Sequence, residues 1–258
     1  MDYQVITYAL TDGIAQITLN RPEVMNALNA QMRAEITHAV QAAGAEARVL
    51  VMTGAGQAFC SGQDLGDRGT AANLDLERTL RDEYVPMLRA IFDCAVPTIA
   101  AVNGAAAGAG ANLALAADVV IASEEAYFIQ AFTRIGLIPD AGGTYWLPRQ
   151  IGAAKAMGAA LFADKISAVQ AADWGMIYET APAEGFEAHW KARAAHLAKG
   201  PTVAYRHLKT AIRESFSNDL ETQLLLEARL QGRCGQTRDF QEGVLAFLEK
   251  RPAAYEGR

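Results

Sequence analysis

Hydrophobic and polar positions along the chain predict a succession of short strands and helices. The first two apolar segments, YQVITYAL and IAQITLN, alternate or are β-branched, and the turn residues Thr11-Asp12-Gly13 between them predict a hairpin. A helix is predicted next, through about Gly44 and capped by Asn29, because apolar residues recur every four positions. These residues are Leu28, Met32, Ile36 and Val40.

Two apolar runs that end in glycine, VLVMTGAG and PTIAAVNG, predict buried strands. DVVIAS and AYFIQ predict shorter strands, and AAAGAGANLALAA predicts a turn into a helix of small residues. Residues 66–80 are polar and turn-prone, which predicts a surface loop that leads into a helix through Asp93. From Ala141 onward the pattern is mostly helical, with Ser167 as an N-cap and Gly175 as a stop.

This pattern divides the chain into two parts. Residues 1–185 mix strands and helices, which predicts a mixed α/β core, whereas residues 186–258 predict three or four amphipathic helices. The sequence contains neither an internal repeat nor a low-complexity linker. Because the helical part is short and polar, we expect it to pack on the first part or on another subunit.

Composition and charge narrow the class of protein. Apolar residues make up 51% and charged residues 20% of the 258 positions, which is typical of a globular chain. A net charge of −6 argues against nucleic acids and anionic membranes as partners. The N-terminus, MDYQVITYALTDG, lacks a signal-peptide pattern, and no stretch is apolar enough to span a membrane, so we expect a cytoplasmic protein.

Cysteines and histidines give no sign of disulfides or of a metal site. The cysteines, Cys60, Cys94 and Cys234, are odd in number and form no CxxC pair, so we expect reduced thiols. The four histidines lack the spacing of metal ligands, and we expect no metal cofactor.

The turn after the first buried strand is the first candidate for chemistry. Residues 59–65, FCSGQDL, follow VLVMTGAG, and the pair Ser61-Gly62 lets the backbone approach a ligand. Backbone N–H groups in such a turn can hold a developing oxyanion. The alternative is a tight turn in which Asp64 bonds to its own loop.

A second glycine-rich segment, residues 103–112 (NGAAAGAGAN), follows the second buried strand and opens a helix. Its small residues leave the helix N-terminus unobstructed, where N–H groups and the helix dipole favour negative charge. A dinucleotide-binding loop is disfavoured, because the third glycine is missing and Asp118 comes too early to bind a ribose. Close packing of helix on sheet remains the alternative.

The third candidate is Asp140, within residues 134–144 (RIGLIPDAGGT). One interpretation is that Asp140 caps the following helix. The other is that apolar neighbours wall a dry pocket, in which desolvation raises the pKa of the carboxyl and makes it a base near neutrality. Those neighbours are Phe132, Ile135, Leu137, Ile138, Tyr145 and Trp146.

Taken together, these segments resemble the enoyl-CoA hydratase/isomerase (crotonase) family over nearly the whole chain. The similarity lies in NRPEVMNALN, VLVMTGAGQAFCSGQDL, PTIAAVNGAAAGAGANLALAAD, RIGLIPDAGGTYWLPR and GVLAFLEKR, in that order. The resemblance implies a crotonase-like spiral of ββα units and a C-terminal helical region that builds trimers, often paired into hexamers. It also implies an acyl-CoA substrate, with CoA as part of that substrate and no bound cofactor.

The resemblance further implies which residues form the site. In the family, two backbone N–H groups grip the thioester carbonyl and stabilise an enolate, and these correspond to the N–H groups of Gln63 and Ala109. The CoA-binding elements of the family correspond to NRPEVMNALN and to the loop after the first buried strand. We expect contacts to CoA from Ala27, Leu28, Ser61, Asp64 and Leu65.

Two departures from the hydratases of the family change the expected chemistry. Hydratases hold water between two glutamates, whose positions correspond to Asn112 and Phe132, and neither side chain is a proton carrier. The carboxylate that remains is Asp140, at a position where hydratases have glycine. We therefore expect an isomerase in which Asp140 shuttles a proton while Asn112, Phe132 and Ile135 shape the acyl pocket.

Within the family, FCSGQDLGDR, VNGAAAGAGANLAL, AFTRIGLIPDAGGT and ADWGMI resemble the ring 1,2-epoxyphenylacetyl-CoA isomerases of bacterial phenylacetate catabolism. That resemblance implies opening of 2-(1,2-epoxy-1,2-dihydrophenyl)acetyl-CoA to an oxepin by a lone aspartate. The alternatives are an enoyl-CoA hydratase or Δ3,Δ2-enoyl-CoA isomerase of fatty-acid metabolism, and a non-catalytic CoA-ester-binding protein. RNA binding is disfavoured by the acidic charge.

Overall fold

The computed structural model describes residues 2–66 and 75–258. Within them the chain forms ten strands: β1 (Ile6–Thr11), β2 (Ile14–Leu19), β3 (Val49–Gly54), β4 (Ala58–Cys60), β5 (Thr98–Val102), β6 (Ala105–Ala107), β7 (Val119–Ser123), β8 (Tyr127–Ile129), β9 (Ile166–Ser167) and β10 (Glu179–Ala181). The same described residues form ten α-helices: α1 (Ala30–Glu46), α2 (Leu76–Thr79), α3 (Val85–Phe92), α4 (Ala109–Leu115), α5 (Gly143–Phe162), α6 (Ala168–Asp173), α7 (Phe186–Ala198), α8 (Thr202–Glu214), α9 (Leu220–Cys234) and α10 (Arg238–Glu249). Short 3-10 helices span Pro22–Val24 and Ala131–Ile135, and π-helical residues Leu80–Tyr84 join α2 to α3.

The described strands form two sheets. The larger has the order β1-β2-β3-β5-β7-β10, in which β1 and β2 form an antiparallel hairpin and the other neighbours are parallel. The smaller has the order β4-β6-β8-β9, with β4, β6 and β8 parallel and β9 antiparallel to β8. Parallel neighbours put their carboxyl ends at one edge of a sheet, so the segments that follow β4, β6 and β8 lie side by side.

From β3 to β8, consecutive described strands alternate between the two sheets. β3, β5 and β7 lie in the larger sheet, and each is followed by a strand of the smaller sheet before the chain enters a helix. The described chain therefore winds through three successive ββα turns, in which α2 and α3 follow β4, α4 follows β6, and α5 comes after β8. The mixed α/β spiral expected from the sequence is confirmed.

The larger sheet is covered on both faces. In β3, Leu50 and Met52 point into a core shared with α1 and α3, whereas Val49 and Val51 point into a second core on the opposite face. Alternate side chains of a strand face opposite ways, so a strand covered on both sides is apolar throughout. This explains why the run VLVM carries no polar residue.

Residues 186–258 form four helices, and the first of them belongs to the second core. Phe186, Trp190, Ala194 and Ala198 of α7 are buried on that face of the sheet. The division at residue 185 stays a prediction about domains, although the elements change there from mixed to helical.

A partly buried carboxylate, Asp118, ties α8 to the larger sheet. Asp118 accepts Lys209 Nζ at 2.7 Å and Arg213 Nη2 at 2.6 Å, and it also accepts the backbone N–H of Thr98 on β5. Strands β5 and β7 and helix α8 are therefore held at one point.

Most predicted elements are confirmed. Asn29 caps α1 by accepting the N–H of Met32, and Ser167 caps α6 by accepting the N–H of Gln170. The short strands β4, β6, β9 and β10 were not expected, and Ala105–Ala107 is a strand rather than part of the predicted helix. In the predicted surface loop, residues 67–74 lie outside the described residues, and the prediction is wrong for its end, because the helix already begins at Leu76.

No helix within residues 2–66 and 75–258 is long and apolar enough to cross a bilayer. Cys60, Cys94 and Cys234 are all unpaired thiols.

Candidate active site

The three candidate segments meet at the carboxyl edge of the smaller sheet. Residues 61–65 follow β4, Gly108 and Ala109 follow β6, and Phe132 and Asp140 come after β8. The N–H of Gly108 donates to the carbonyl of Ile129 at 2.8 Å, which joins the second segment to the end of β8. Ligands of sheets with parallel strands bind at this kind of edge.

The segment after β4 pairs with the start of α1. The N–H of Leu28 donates to Gly62 O at 2.7 Å, and the N–H of Asp64 donates to Leu28 O at 3.1 Å. Gln63 therefore lies opposite Leu28 in a parallel bridge, and its own N–H points away from that partner.

Glycines let the first two segments approach each other. Gly62 has a φ of +97°, and a Cβ atom there would lie 2.7 Å from Ala107 O and 3.4 Å from Ala109 N. A Cβ atom at Gly110 would lie 2.3 Å from Cys60 O. The segments after β4 and β6 are thus in backbone contact, which only glycine permits at these positions.

The backbone N–H groups of Gln63 and Ala109 lie on these two adjoining segments. Ala109 is the first residue of α4, where an N–H has no acceptor within the helix. Among the residues that the structure describes, neither N–H has a hydrogen-bond acceptor. This is the arrangement that an oxyanion-binding pair requires, and that role stays a prediction.

Asp140 lies in a sharp turn before α5. Ala141 and Gly142 have φ values of +49° and +83°, and the helix N-cap is Gly142, with no side chain capping it. The interpretation that Asp140 caps the helix is therefore wrong. Its Oδ1 is buried and has no hydrogen-bond partner in the described chain. Burial raises the pKa of Asp140 to about 6.

Asn112 is fully buried, and both ends of its amide are occupied. Its Nδ2 donates to the backbone O of Asp140 at 2.7 Å, and its Oδ1 accepts Gln130 Nε2 at 2.9 Å. The side chain thus holds the Asp140 turn in place. Its predicted part in shaping the acyl pocket stays a prediction.

Phe132 is the aromatic neighbour of the Gly108 turn. It is 6% exposed, and a Cβ atom at Gly108 would lie 3.7 Å from its Cζ. Other residues were predicted to wall a dry pocket around Asp140. That prediction is wrong for Ile135, which is 59% exposed, and for Ile138, which is 77% exposed. Tyr145 is also exposed.

The predicted CoA-binding residues lie together on two paired segments. Ala27 and Leu28 are buried, Ser61 Oγ donates to Val24 O at 3.2 Å, and Leu65 is 58% exposed. Asp64 is held by an ion pair with Arg21, whose Nη1 lies 2.8 Å from Asp64 Oδ2 and 2.7 Å from Ala27 O. CoA contacts from this surface stay a prediction.

The sequence analysis missed Arg33, Tyr84 and Gln130, which surround the candidate residues. Arg33 is 1% exposed on α1, and its Nη1 donates to Gln63 Oε1 at 3.0 Å. A signal for it exists, since Arg33 shares the apolar face of α1 with Ile36 and Val40 at helical spacing. Tyr84 and Gln130 have no comparable signal, because their partners are distant in sequence.

A second feature is a groove of about 1180 Å³ between α8, α9 and α10. Large apolar side chains along it are exposed: Leu208, Ile212, Leu224, Phe240, Val244, Phe247 and Leu248. An apolar surface of this kind is typical of a protein interface.

Comparisons with known proteins show the family and the fold. A family model described as enoyl-CoA hydratase/isomerase matches residues 9–258. The chain is 63% identical over 258 residues to a protein of Rhodobacter capsulatus named probable enoyl-CoA hydratase, with 100% of both chains covered. It is 43% identical over 251 residues to 1,2-epoxyphenylacetyl-CoA isomerase of Escherichia coli K12, with 95% of this chain and 96% of the relative covered. The crystal structure of enoyl-CoA hydratase from Bacillus anthracis matches with a TM-score of 0.91 at 33% identity, covering 99% of this chain and 100% of that chain.

Proposed function

This chain belongs to the enoyl-CoA hydratase/isomerase family and is an enzyme of that family, and we propose that it isomerises an acyl-CoA thioester with Asp140 as the single proton carrier. The observation that carries the proposal is the Oδ1 atom of Asp140, which is buried and has no partner among the described residues. A carboxyl with a pKa of about 6 accepts and returns a proton near neutral pH.

The proposed mechanism needs no group beyond the substrate and the chain. The thioester carbonyl oxygen accepts hydrogen bonds from the N–H groups of Gln63 and Ala109. These bonds make the α-carbon of the acyl group acidic. Asp140 takes a proton from the substrate, the two donors hold the enolate oxygen, and Asp140 returns the proton at another atom. The product is an isomer of the substrate, so atoms and electrons balance without water or an oxidant.

Hydration of an enoyl-CoA is the second candidate, and the comparisons favour it, since the relative at 63% identity is named probable enoyl-CoA hydratase. In this case Asp140 alone would have to activate the water. Against it stands the buried amide of Asn112, both ends of which are already bonded, and the apolar ring of Phe132. Neither supplies the second carboxylate that water addition uses in the hydratases of the family.

The acyl group that we propose is the ring epoxide, 2-(1,2-epoxy-1,2-dihydrophenyl)acetyl-CoA. Its support is the 43% identity to a relative named 1,2-epoxyphenylacetyl-CoA isomerase and the aromatic ring of Phe132 beside Gly108. An aromatic side chain offers a large apolar surface against which an unsaturated ring can pack. Ring opening to an oxepin is an isomerisation, which is compatible with one proton carrier.

The decisive experiment compares the wild type with Asp140→Asn on three substrates: crotonyl-CoA, a 3-enoyl-CoA and the epoxide. We expect the wild type to isomerise the epoxide or the 3-enoyl-CoA and the variant to lose at least about 100-fold in turnover. Rapid hydration of crotonyl-CoA with no isomerisation would favour the hydratase. A fully active variant would show that Asp140 is not the proton carrier.

We also propose that three copies of the chain associate, alone or as a dimer of trimers. The support for this is the groove between α8, α9 and α10, whose exposed apolar side chains can be covered by the same kind of surface on a second copy of this chain. Mass measured in solution by light scattering tests this. We expect a multiple of three chains for the wild type and smaller particles for Phe247→Glu, whereas a monomeric wild type would contradict it.

A further inference from the structure

We propose that Arg33 and Tyr84 are positioning residues that fix the Gln63 N–H by gripping the Gln63 side chain. The inference rests on the proposed function, in which the backbone N–H of Gln63 is an oxyanion donor. It assigns a role to the side chain of the same residue. It goes beyond that function, since a backbone donor by itself sets no requirement on its own side chain.

Both ends of the Gln63 side-chain amide are held. Its Oε1 accepts Tyr84 Oη at 2.6 Å and Arg33 Nη1 at 3.0 Å, and its Nε2 donates to the backbone O of Asp64 at 3.2 Å. A side chain with three such bonds does not rotate independently of its backbone. Fixing it therefore limits rotation about the φ and ψ angles that aim the Gln63 N–H.

Arg33 also holds the segment that faces Gln63. Its Nη1 donates to Leu28 O at 2.7 Å, which is the same carbonyl that accepts the N–H of Asp64 at 3.1 Å. One guanidinium therefore spans the bridge between Leu28 and Gln63 and ties its two sides together. Arg is suited to this task because its planar fork of donors reaches several acceptors at fixed angles.

The π-helical residues Leu80–Tyr84 supply the other half of the clamp. Glu83 Oε2 accepts Arg33 Nε at 3.0 Å and Nη2 at 2.7 Å, while the next residue, Tyr84, donates to Gln63. Arg33 Cζ also lies 4.9 Å from the centre of the Tyr84 ring. Single π-helical turns occur frequently at functional sites, and here one presents two consecutive residues to the same network.

Burial makes this network rigid. Arg33 is 1% exposed and Tyr84 is 2% exposed, so a change that leaves one of their polar groups without a partner is costly. Burial also raises the pKa of the Tyr84 hydroxyl, which therefore stays a neutral donor throughout the physiological range. Catalytic groups must be held within about 0.5 Å of their productive position. An oxyanion donor such as the proposed Gln63 N–H therefore needs a rigid support.

The test removes the Tyr84 hydroxyl and measures how well the oxyanion site stabilises a bound enolate. The probe is acetoacetyl-CoA, a 3-oxoacyl thioester whose enolate absorbs in the near ultraviolet, titrated with pH while bound to the full chain. An intact pair of donors lowers the apparent pKa of the bound probe. We expect Tyr84→Phe to raise that apparent pKa relative to the wild type and to lower kcat about tenfold with KM nearly unchanged, less than the loss on removing an oxyanion donor outright.

Tyr8→Phe is the matched control. Tyr8 Oη is buried and has no hydrogen-bond partner among the described residues. Tyr8 lies on β1, an edge strand of the larger sheet, whereas the site lies at the smaller sheet. We expect this variant to match the wild type in kcat and in the apparent pKa of the bound probe. A merely structural role for Tyr84 would lower the melting temperature without moving the apparent pKa.

A double-mutant cycle gives a second, independent readout. Gln63→Leu keeps the backbone N–H and removes the acceptor that Arg33 and Tyr84 share, so adding Tyr84→Phe to it should cost nothing further. Additive losses, or a Tyr84→Phe enzyme with wild-type kcat and probe pKa, would overturn the inference while leaving the proposed function standing. A wild type that never stabilises the probe enolate would overturn both.

Discussion

Two carboxylates, Glu35 and Asp140, have opposite surroundings. Glu35 on α1 is fully buried, and although burial raises its pKa, hydrogen bonds from Gln31 and from the backbone of residues 4–6 outweigh it and lower the pKa. Asp140 has no donor on its Oδ1, and burial alone raises its pKa to about 6. The comparison shows that hydrogen-bond donors can outweigh burial and lower the pKa of a carboxyl, whereas burial without such donors raises it.

The first prediction concerns the pH dependence of the reaction and has the largest expected effect. If Asp140 must be ionised to accept a proton, kcat/KM falls about tenfold per pH unit below pH 6, to about 100-fold lower at pH 4. The rate profile of the wild type between pH 4 and pH 9 measures this, with circular dichroism to check that the chain stays folded. A flat profile would remove Asp140 from the proposed role.

The second prediction concerns Glu35, the other carboxylate of the comparison, and its contribution to stability. Glu35 accepts the N–H groups of Gln4, Val5 and Ile6 at 2.8, 3.0 and 3.2 Å. Glu35→Gln replaces one charged acceptor oxygen with a donor that faces N–H groups, so we expect a loss of about 2–3 kcal/mol in the free energy of unfolding. Urea denaturation at pH 7 measures the loss. We expect kcat to stay within about twofold of the wild type, since Glu35 bonds to Gln31 and to the backbone of residues 4–6 and to no candidate site residue.

The stabilising contribution of Glu35 also has a defined pH range. Because its folded pKa is lowered, the contribution is present above the unfolded pKa of about 4.5 and is lost as the pH falls through the folded pKa. The difference in stability between the wild type and Glu35→Gln should therefore shrink in acid. A difference that stays constant down to pH 3 would mean that packing, rather than charge, stabilises this position.

The third prediction is that a substitution at Asp140 raises the free energy of unfolding, and its expected effect is the smallest of the three. Because the pKa of folded Asp140 is raised, the folded state binds more protons than the unfolded state between about pH 4 and pH 6, and stability falls as the pH rises through that range. We expect Asp140→Asn to be more stable than the wild type by about 1–3 kcal/mol at pH 8 and by almost nothing at pH 4. A variant that is less stable at pH 8 would contradict the assigned cause of the raised pKa.

The sequence predicted the elements that carry a local pattern. The hairpin, the capped helix α1 and the buried strands β3 and β5 each have a repeat or a cap within a short window. The two-residue strand β9 and the three-residue strand β4 have no such pattern, because their pairing is set by neighbours elsewhere in the chain. The family resemblance gave the architecture that periodicity alone did not.

For the site, the sequence identified segments but not the contacts between them. It left open whether Asp140 is a helix cap or a base, since both interpretations fit the residues around it. The answer depends on where α5 begins and on the absence of a partner for Oδ1 among the described residues. It also missed the support of Gln63, because Tyr84 lies 21 positions away and reaches it through tertiary packing.

The glycines at positions 62 and 110 divide the site into a fixed part and an exchangeable part. A Cβ atom at either would meet backbone at 2.7 Å or 2.3 Å, so the segments that carry the two proposed donors tolerate little change. Asn112, Phe132 and Asp140 reach the same place through side chains on neighbouring segments. Evolution and protein engineering can therefore replace Asp140 and the side chains beside it one at a time while the backbone that carries the two proposed donors is kept, so the chain can serve as a scaffold for changing one acyl-CoA reaction into another.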